Sequence, residues 1–308
     1  MSKAKAFSLP KKTKAPWPKD VGYYDRTQDF SIDFWFYVGD RYPDMVPIIN
    51  HRDEDNSGGA GYRIELEDQR VHLYMAHSRP FNMISLVAKD PVPLKQWTHI
   101  TMSYDGSSRA SGVQFYFDGV SAAMEVTHDN LTQSILPHNY ATTFDNFLGI
   151  EFGSRFREKA PVGSGLDEVR VFNRALTPIA VAYLHAGVKA LSGSPTVSEE
   201  AVRAWLAAGT PEVVAAKHAL TAAREAQNKL VSLIPQVLVM GDSPVPRPTY
   251  RLERGLYSER REQVPVKALD SVLPWDDALP GNRIGLAKWL FDRRNPLTAR
   301  VFARSRRS

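Results

Sequence analysis

Residues 30–38, with the sequence FSIDFWFYV, place a large apolar side chain at every second position. These side chains are Phe30, Ile32, Phe34, Phe36 and Val38. Because successive side chains of a β-strand point to opposite faces, all five fall on one face, and Ser31 and Asp33 fall on the other. The segment therefore predicts a strand with one side packed in a hydrophobic core.

Similar segments recur along the first two thirds of the chain. Short runs rich in aromatic and β-branched residues, bounded by Gly, Asp, Asn and Pro, occur at 61–67, 71–76, 97–104, 113–118, 147–152 and 166–172. Asp118–Gly119 is a favoured hairpin dipeptide, and Asp105–Gly106 opens a longer turn. Many short strands joined by turns, with hardly any helical periodicity, predict an antiparallel β-sandwich over residues 21–190.

The formal net charge of +5 is concentrated at the two ends of the chain. The basic residues there are Lys3, Lys5, Lys11, Lys12, Lys14 and Lys19 at one end and Arg300, Arg304, Arg306 and Arg307 at the other. A nucleic-acid-binding surface needs basic residues clustered on a folded face, together with aromatic residues that stack on bases. Neither end has that pattern, so we expect a flexible basic tail over residues 1–20 and no nucleic-acid partner.

The composition excludes several kinds of site. None of the 308 residues is a cysteine, so this chain has no disulfide, no thiolate metal site and no C-x-x-C-H haem attachment. We find no apolar run of the length of a membrane span and no N-terminal segment that resembles a signal peptide. With 43% hydrophobic residues, the chain is apolar and long enough for at least two folded units.

A change of composition predicts a linker and helices over residues 191–235. Residues 192–195, SGSP, have the composition of a linker. Thr196, with Glu199 three positions later, makes a capping box that begins a short helix. Gly209 is expected to end that helix.

A second helix is expected to begin with Thr210 as its N-cap and Pro211 at the first helical position, where a missing N–H costs nothing. The residues after it repeat at intervals of three and four and form a narrow, largely apolar stripe: Val213, Ala216, Leu220, Ala223, Gln227, Leu230 and Ile234. We expect this stripe to pack in a core or to dock on the sandwich. An intermolecular coiled coil is the alternative, which a short and Ala-rich stripe disfavours.

Four segments carry a family resemblance: 30–35, 96–106, 112–119 and 166–178. In content and order they resemble the laminin-G-like jelly-roll family. The resemblance implies a mainly β fold, a concanavalin A-like antiparallel β-sandwich (jelly roll), here followed by C-terminal helical and irregular segments. It also implies that Trp97 opens a core strand, that Asp118–Gly119 forms a hairpin, and that the closing strand holds Asp167, Glu168 and Arg174.

A second resemblance covers the C-terminal part of the chain. Residues 246–257, 282–290 and 295–301 are similar to the opening of a planctomycete-specific domain of cytochrome-associated proteins, a family without an established biochemical role. The resemblance implies that residues 236–308 are the truncated start of that domain. It further implies an exported protein, periplasmic or at the cell surface, whose cytochrome-like portion is missing here. Because residues 302–308 do not resemble the continuation of the domain, we expect the chain to be a fragment.

Two kinds of enzyme are considered and neither is favoured. Residues 237–243, VLVMGDS, are similar to the strand and nucleophile of Gly-Asp-Ser esterases, but the last histidine, His218, precedes Ser243, so the usual downstream base is missing. Glycoside hydrolases need two carboxylates about 5 to 9 Å apart. The nearest acids are Glu65, Glu67 and Asp68; Asp68 begins a predicted hairpin turn, which leaves the glutamates on a solvated strand face. No catalytic residue is therefore predicted.

A calcium site is considered at residues 53–58, DEDNSG, because calcium prefers hard oxygen ligands. The segment resembles half of an EF-hand loop, but the twelfth position is Ile64 instead of a glutamate. Calcium is therefore a hypothesis that rests on Asp53, Asp55 and Asn56, the last of which supplies an amide oxygen. The histidines lack the spacing of a helical zinc site, and His51 and His99 are expected to pack or to form hydrogen bonds.

Aromatic side chains at the rim of a sandwich can stack on sugar rings. The candidates for such ligand contacts are Tyr62, Tyr74, Phe81 and Tyr140. The sequence is thus interpreted as a non-catalytic recognition module for a carbohydrate or a protein. The alternatives are an esterase or glycoside hydrolase, and a structural spacer without a ligand.

Overall fold

The structure is a computed structural model that describes residues 7–8, 21–40, 46–52, 59–136, 150–155, 158–159, 163–188, 198–235 and 247–305. The chain divides into two compact units, Met1–Pro235 and Gln236–Ser308.

Most of the described strands belong to the first unit. In chain order they are Phe7–Ser8 (β1), Phe30–Tyr37 (β2), Val46–Arg52 (β3), Gly61–Glu67 (β4), Arg70–Ser78 (β5), Asn82–Ala88 (β6), Trp97–Tyr104 (β7), Val113–Phe117 (β8), Val120–Ser121 (β9), Met124–Asp129 (β10), Glu151–Phe152 (β11), Ser154–Arg155 (β12), Glu158–Lys159 (β13) and Gly165–Phe172 (β14). The helices of this unit are Pro178–Ala186 (α1), Glu199–Ala208 (α2) and Pro211–Ser232 (α3).

Two antiparallel sheets form the sandwich. The first sheet has the strand order β1-β14-β2-β7-β8-β9, and the second has the order β10-β6-β5-β4-β3-β11. The predicted antiparallel sandwich is confirmed. Residues Phe7 and Ser8, which lie in the predicted flexible tail, pair with Leu166 and Gly165 at the edge of the first sheet.

The core lies between the inner faces of the two sheets. The alternating apolar residues of β2 supply part of it. The five apolar residues of that segment, Phe30 to Val38, are all fully buried in this core. Tyr62, Ile64 and Leu66 face them from β4 in the second sheet. The period of two in the sequence therefore identified the inner face of β2 correctly.

Tight turns join neighbouring strands where the sequence offers Asp and Gly. Asp118 and Gly119, with φ angles of 50° and 79°, connect β8 to β9. Asp68 and Gln69, with φ angles of 46° and 64°, connect β4 to β5 in the same way. Positive φ at both central residues matches the twist of hairpin strands. Both predicted turns are confirmed.

Strands β3, β6 and β10 were not predicted. Every residue of β6 is buried, from Asn82 to Ala88, so the sequence lacks the alternation that marks a half-exposed strand. In β10 the residues after Met124 are exposed, which removes the apolar signal altogether. Of the predicted strand 147–152, the structure describes residues 150–152, with β11 at Glu151–Phe152.

Helix α1 lies within the segment that was predicted to be purely β. Thr177 is its N-cap and accepts a hydrogen bond from Ala180 N at 3.3 Å, and Pro178 is its first residue. The helix packs on the outer face of the first sheet, where Val181 joins a small apolar cluster with Tyr116 and Leu176. The Thr–Pro pair that begins α1 is the same signal that correctly predicted the start of α3.

Two expectations for the following helices were wrong. The N-cap of α2 is Ser198, which accepts from Ala201 N at 3.1 Å, and not Thr196, which lies outside the described residues. The stripe of α3 does not dock on the sandwich: Leu220 and Leu230 are 49% and 66% exposed. The buried residue of α3 is the polar Asn228. Its side chain forms hydrogen bonds with Asp25 and Arg26, and these bonds hold the helix in place.

The second unit contains the hairpin Thr249–Leu252 (β15) and Arg260–Val264 (β16) and the helices Arg283–Leu290 (α4) and Pro296–Ser305 (α5). Asn282 caps α4 by accepting from Ile284 N and Gly285 N. Trp289 is 7% exposed and donates from Nε1 to the carbonyl oxygen of Leu273 at 2.8 Å. Across the described part of the chain, the helices are too short or too polar to span a membrane.

Candidate functional site

The outer face of the second sheet carries a line of polar side chains. The strand register places Asn50 of β3 beside Arg63 of β4, Arg63 beside Tyr74 of β5, and Tyr74 beside Ser85 of β6. Directly paired residues of antiparallel strands share a face, so these four side chains point away from the core. We call Asn50, Arg63, Tyr74 and Ser85 the polar row.

Arg63 is the centre of this row and is paired with Glu65, two residues along the same strand. Both side chains are fully buried, and Arg63 Nε and Glu65 Oε1 are in direct contact. The prediction that the glutamates form a solvated face is therefore wrong for Glu65. A buried charge requires a partner of opposite charge, which explains why both residues occur together on this face.

His72 lies directly across from Glu65 on β5, and its side chain is 8% exposed. Burial lowers the pKa of His72, although the nearby Glu67 carboxylate acts in the opposite direction. The two groups are 3.6 Å apart, from His72 Nδ1 to Glu67 Oε2, and Glu67 is 40% exposed. At neutral pH His72 is therefore a neutral imidazole that can both donate and accept hydrogen bonds.

Tyr74 is the partly exposed member of the polar row. The guanidinium of Arg79 lies over its ring, with 4.3 Å from Cζ to the ring centroid, and that of Arg63 lies 5.8 Å away. Burial raises the pKa of Tyr74, so its hydroxyl is protonated at neutral pH. Cation–π contacts on an aromatic ring fix its orientation. Tyr74 thus presents an oriented ring edge and a hydroxyl group at the partly exposed position of the row.

Phe81 lies in the turn between β5 and β6 and is 71% exposed. Neighbouring side chains hold the turn in place. Asn130 Nδ2 donates to the Phe81 carbonyl oxygen at 2.6 Å, and Asn82 Oδ1 accepts from Thr132 N at 2.8 Å. A large apolar side chain on a braced turn is available for contact with a ligand.

Tyr62 cannot contact a ligand in the same way. It is 1% exposed, lies in the core, and donates from its hydroxyl to the carbonyl oxygen of Gly22 at 2.8 Å. His51 stacks on its ring with 5.0 Å between centroids, and burial lowers the pKa of His51 to about 4. The expectation that His51 is a packing residue is confirmed, and Tyr62 is no longer a candidate for ligand contact.

The remaining predicted site residues lie outside the described part of the chain. They are Tyr140, the calcium candidates Asp53, Asp55 and Asn56, and the esterase candidate Ser243. Among the residues that the structure describes, no group of three or more His, Asp or Glu side chains is placed to hold a metal ion.

The face around the polar row combines hydrogen-bonding groups of several kinds with an aromatic ring. Asn50, Arg63 and Glu65 are buried, whereas the hydroxyl of the partly exposed Tyr74 can both donate and accept hydrogen bonds. Of these residues, Tyr74 is the one that a ligand can reach. The sequence pattern indicated Tyr74 and Phe81 but not the buried Arg63. Charged residues at every second position, Arg63, Glu65 and Glu67, indicate a polar strand face. The local sequence does not show that part of this face is buried.

Comparison with known proteins bears on the sandwich. A family model described as the concanavalin A-like lectin/glucanases superfamily matches residues 13–182. The binding domain of Paraclostridial Mosquitocidal Protein 1 is similar in structure, with 18% identity, a TM-score of 0.35, and coverage of 53% of this chain and 38% of that chain. The binding domain of botulinum neurotoxin serotype D has 14% identity, a TM-score of 0.39, and coverage of 53% and 38%.

The chain thus spans well under two thirds of these two structures. With TM-scores this low, the two structures give no basis for assigning a ligand to this chain. A search of curated protein sequences gives no match.

Proposed function

The chain belongs to the concanavalin A-like lectin/glucanases superfamily, and from that premise we propose that it is a non-catalytic recognition module that binds carbohydrate on the outer face of its second sheet. The observation that carries this proposal is the polar row. Arg63 is held by its ion pair with Glu65 and lies over the ring of Tyr74, which is the partly exposed member of the row. Side chains that are already ordered lose little conformational entropy when a ligand binds.

The proposed contacts are Tyr74 and Phe81 for sugar rings and Arg79 for hydroxyl groups. Sugar rings have apolar C–H faces that pack on aromatic side chains. Arg79 has five N–H donors, and it makes no ion pair with any described residue, so donors remain for a ligand. Tyr140 is a further proposed contact.

Glycan arrays test the proposal with the wild-type chain and the variants Tyr74→Ala and Phe81→Ala. We expect the wild type to bind at least one glycan and each variant to bind it at least about tenfold more weakly. Tyr183→Ala is the matched control, because Tyr183 is 51% exposed on α1, away from the second sheet. If no glycan binds at high protein concentration, or if both variants bind like the wild type, the proposal is wrong.

A protein ligand on the same face is the nearest alternative. It predicts that the array is negative while Phe81→Ala weakens capture of a protein partner. A structural spacer predicts that neither glycans nor proteins bind, even at high concentration.

Glycoside hydrolysis is the second candidate, and one observation favours it. Glu65 and Glu67 are two residues apart on β4, so they share a face, and their Cα atoms are about 7 Å apart. Glycoside hydrolases use two carboxylates on one surface, with the carboxyl groups about 5 to 9 Å apart. Against it, the side chain of Glu65 is fully buried and paired with Arg63, so a substrate cannot reach it. Turnover of aryl glycosides that is lost in Glu67→Gln would replace the binding proposal with this one.

The esterase alternative depends on Ser243. We propose that it is not a nucleophile, because the sequence has no histidine after His218. Hydrolysis of p-nitrophenyl esters that disappears in Ser243→Ala would show otherwise.

We further propose that the module belongs to a larger exported protein, periplasmic or at the cell surface. The support is the resemblance of residues 246–257, 282–290 and 295–301 to a planctomycete-specific domain of cytochrome-associated proteins. In this proposal residues 236–308 are the start of that domain and the cytochrome-like portion is encoded nearby. Sequencing the flanking reading frame tests it: the frame should encode a C-x-x-C-H segment upstream and a continued domain downstream.

A further inference from the structure

The apolar stripe of α3 has the spacing of a coiled-coil seam. Its members repeat every seven positions in two sets that are offset by three residues: Val213, Leu220 and Gln227, and Ala216, Ala223 and Leu230. In a coiled coil the core positions a and d have the same spacing. The first set therefore takes the a positions and the second set takes the d positions, along nearly the whole of α3.

This stripe is exposed to solvent. Leu220 and Leu230 are 49% and 66% exposed, and Ala216, Ala223 and Gln227 are exposed as well. Val213, at the start of the helix, is partly buried. Removing apolar side chains from water is favourable, so a row of them on one helix favours a partner that covers it.

The attachment of α3 to the sandwich leaves the stripe free. Arg224 and Asn228 make the hydrogen bonds to the sandwich, and each is directly preceded by a member of the stripe, Ala223 and Gln227. Since successive residues lie about 100° apart around an α-helix, the stripe is turned by about that angle from the attached face. A second helix can therefore lie along the stripe without displacing these contacts. Because α3 is already formed and held, it loses little conformational entropy in doing so.

The charges beside the stripe match a second copy of the same helix. Glu212 takes position g of the heptad, and Lys217, five residues later, takes position e. In a parallel pair of helices in register, position g of one helix lies beside position e of the next heptad in the other helix. Glu212 of each copy is thus opposite Lys217 of the second copy, and two-fold symmetry makes this contact twice.

An antiparallel pair is disfavoured by the same residues. In that arrangement the two e flanks face one another, and here that flank carries Lys217 and Arg224, so like charges repel. Gln227 also favours the parallel pair. Two Gln227 side chains then meet at one a layer and can form a hydrogen bond, whereas another register leaves each amide against an apolar side chain.

From this arrangement we infer that α3 is the contact surface for a second copy of this chain, which it binds through a parallel two-stranded coiled coil. The pair presents two sandwiches on one assembly. Two linked sites bind a polymer with repeated epitopes more tightly than one site does. The inference goes beyond the function proposed above and does not depend on it, because it rests on the residues of α3.

Sedimentation equilibrium of the full chain tests the inference. We expect a reversible dimer, and we expect Leu220→Glu and Leu230→Glu each to raise its dissociation constant at least about tenfold, because each places a carboxylate in the seam. Val214→Glu is the matched control, since Val214 is 41% exposed on the same helix but lies off the stripe. Circular dichroism should show that all three variants fold, because these positions are exposed in the single chain.

An exchange of charges tests the flanking contact. Glu212→Lys should weaken the dimer about threefold or more, since it replaces two attractions by two repulsions. Adding Lys217→Glu to the same chain should restore most of the lost affinity. A merely structural role for Glu212 in starting α3 predicts no such rescue.

Disulfide crosslinking tests the orientation. The chain has no cysteine, so an introduced one is unique. In a parallel pair in register, Leu220→Cys and Gln227→Cys each bring two thiols together, and both variants should form an interchain disulfide with glutathione disulfide as the oxidant. His218→Cys, at an exposed position away from the stripe, should not.

Three results would overturn the inference. The first is a wild-type chain that stays monomeric up to about 1 mM. The second is a dimer that Leu220→Glu and Leu230→Glu leave unchanged, which would place the contact elsewhere. The third is a crosslinking pattern in which His218→Cys reacts as readily as Gln227→Cys, or in which Leu220→Cys and Gln227→Cys do not both react. A dimer that binds no glycan would refute the proposed function and leave this inference standing.

Discussion

The side chain of Asn228 donates a hydrogen bond from Nδ2 to Oδ2 of Asp25 at 2.6 Å, across 203 positions of sequence. Its Oδ1 accepts from Nε of Arg26 at 2.9 Å. One amide is thus bonded to both members of an adjacent pair of opposite charges. One turn earlier in the helix, Arg224 donates to the carbonyl oxygen of Asp105 at 2.8 Å. Polar contacts therefore attach α3 to the sandwich, while its apolar stripe faces solvent.

Replacing Asn228 with alanine should loosen α3. The variant loses two hydrogen bonds to charged groups, which are worth about 1.5 to 3 kcal/mol each, and part of that loss should appear in the free energy of unfolding. Amide hydrogen exchange should accelerate along α3. Gln227→Ala, at an exposed neighbouring position, should change stability by less than about 0.5 kcal/mol. Equal exchange rates in Asn228→Ala and the wild type would show that the amide does not hold the helix.

The buried ion pair of the polar row predicts a large difference between two glutamates. Glu65→Ala leaves a buried guanidinium without this carboxylate and should lower the free energy of unfolding by about 3 to 5 kcal/mol. Glu67→Ala removes a carboxylate that is 40% exposed and should cost less than about 1 kcal/mol. Urea unfolding of both variants measures the difference. Similar midpoints would mean that the buried guanidinium of Arg63 is stable without the carboxylate of Glu65.

Stability should fall as the pH is lowered from about 6.5 to 4, and His51 should account for part of the change. Its pKa in the folded state is about 4, against an ordinary value of 6.5 for histidine, so the unfolded state binds the proton first as the pH falls. Below this window the loss from His51 reaches about 3 kcal/mol. His51→Asn should flatten the dependence, measured by urea unfolding at a series of pH values, whereas His128→Asn at an exposed position should not. An unchanged slope in His51→Asn would contradict the assignment.

Phe81 should matter for binding and not for stability. Because its side chain is 71% exposed, Phe81→Ala should change the free energy of unfolding by less than about 0.5 kcal/mol. It should nevertheless weaken the binding of any glycan found on the array. A variant with a lowered melting temperature would mean that the ring packs against the protein and is not available for a ligand.

Calcium remains a prediction for Asp53, Asp55 and Asn56. A ligand at a hundred times its Kd stabilises the folded state by about 2.7 kcal/mol, so millimolar calcium should raise the melting temperature measurably. Asp53→Asn combined with Asp55→Asn should abolish the rise. If calcium does not change the melting temperature of the wild type, the hypothesis is wrong.

Local sequence predicted the inner face of the sandwich well because apolar alternation is itself a local property. Strands β4 and β7 begin and end where the sequence placed them, at residues 61–67 and 97–104. Prediction failed for β6, whose two faces are both buried, and for α1, whose Thr177–Pro178 start was not recognised as the beginning of a helix. The first failure was unavoidable without tertiary contacts, and the second was not.

The candidate site was predicted only in part. Tyr74 and Phe81 were selected because aromatic side chains at the rim of a sandwich can stack on sugar rings, and the structure leaves Phe81 exposed and Tyr74 partly exposed. Tyr62 was selected for the same reason and lies in the core. Alternation along the strands distinguishes the two tyrosines, because Tyr62 falls on the apolar face of β4 with Ile64 and Leu66, whereas Tyr74 falls on the face of β5 opposite to Leu73 and Met75.

The sequence alone determined that two antiparallel sheets enclose a core, since a repeat of two in side-chain polarity specifies which face of each strand avoids water. Tertiary structure decided which polar groups are also shielded from water. Arg63 with Glu65, Asp33 with His99, and Asn228 with Asp25 are stable in the interior only because a partner of matching charge or hydrogen-bonding capacity lies beside each of them. Such a partner can be two residues away or two hundred, and only the folded chain brings the pair together.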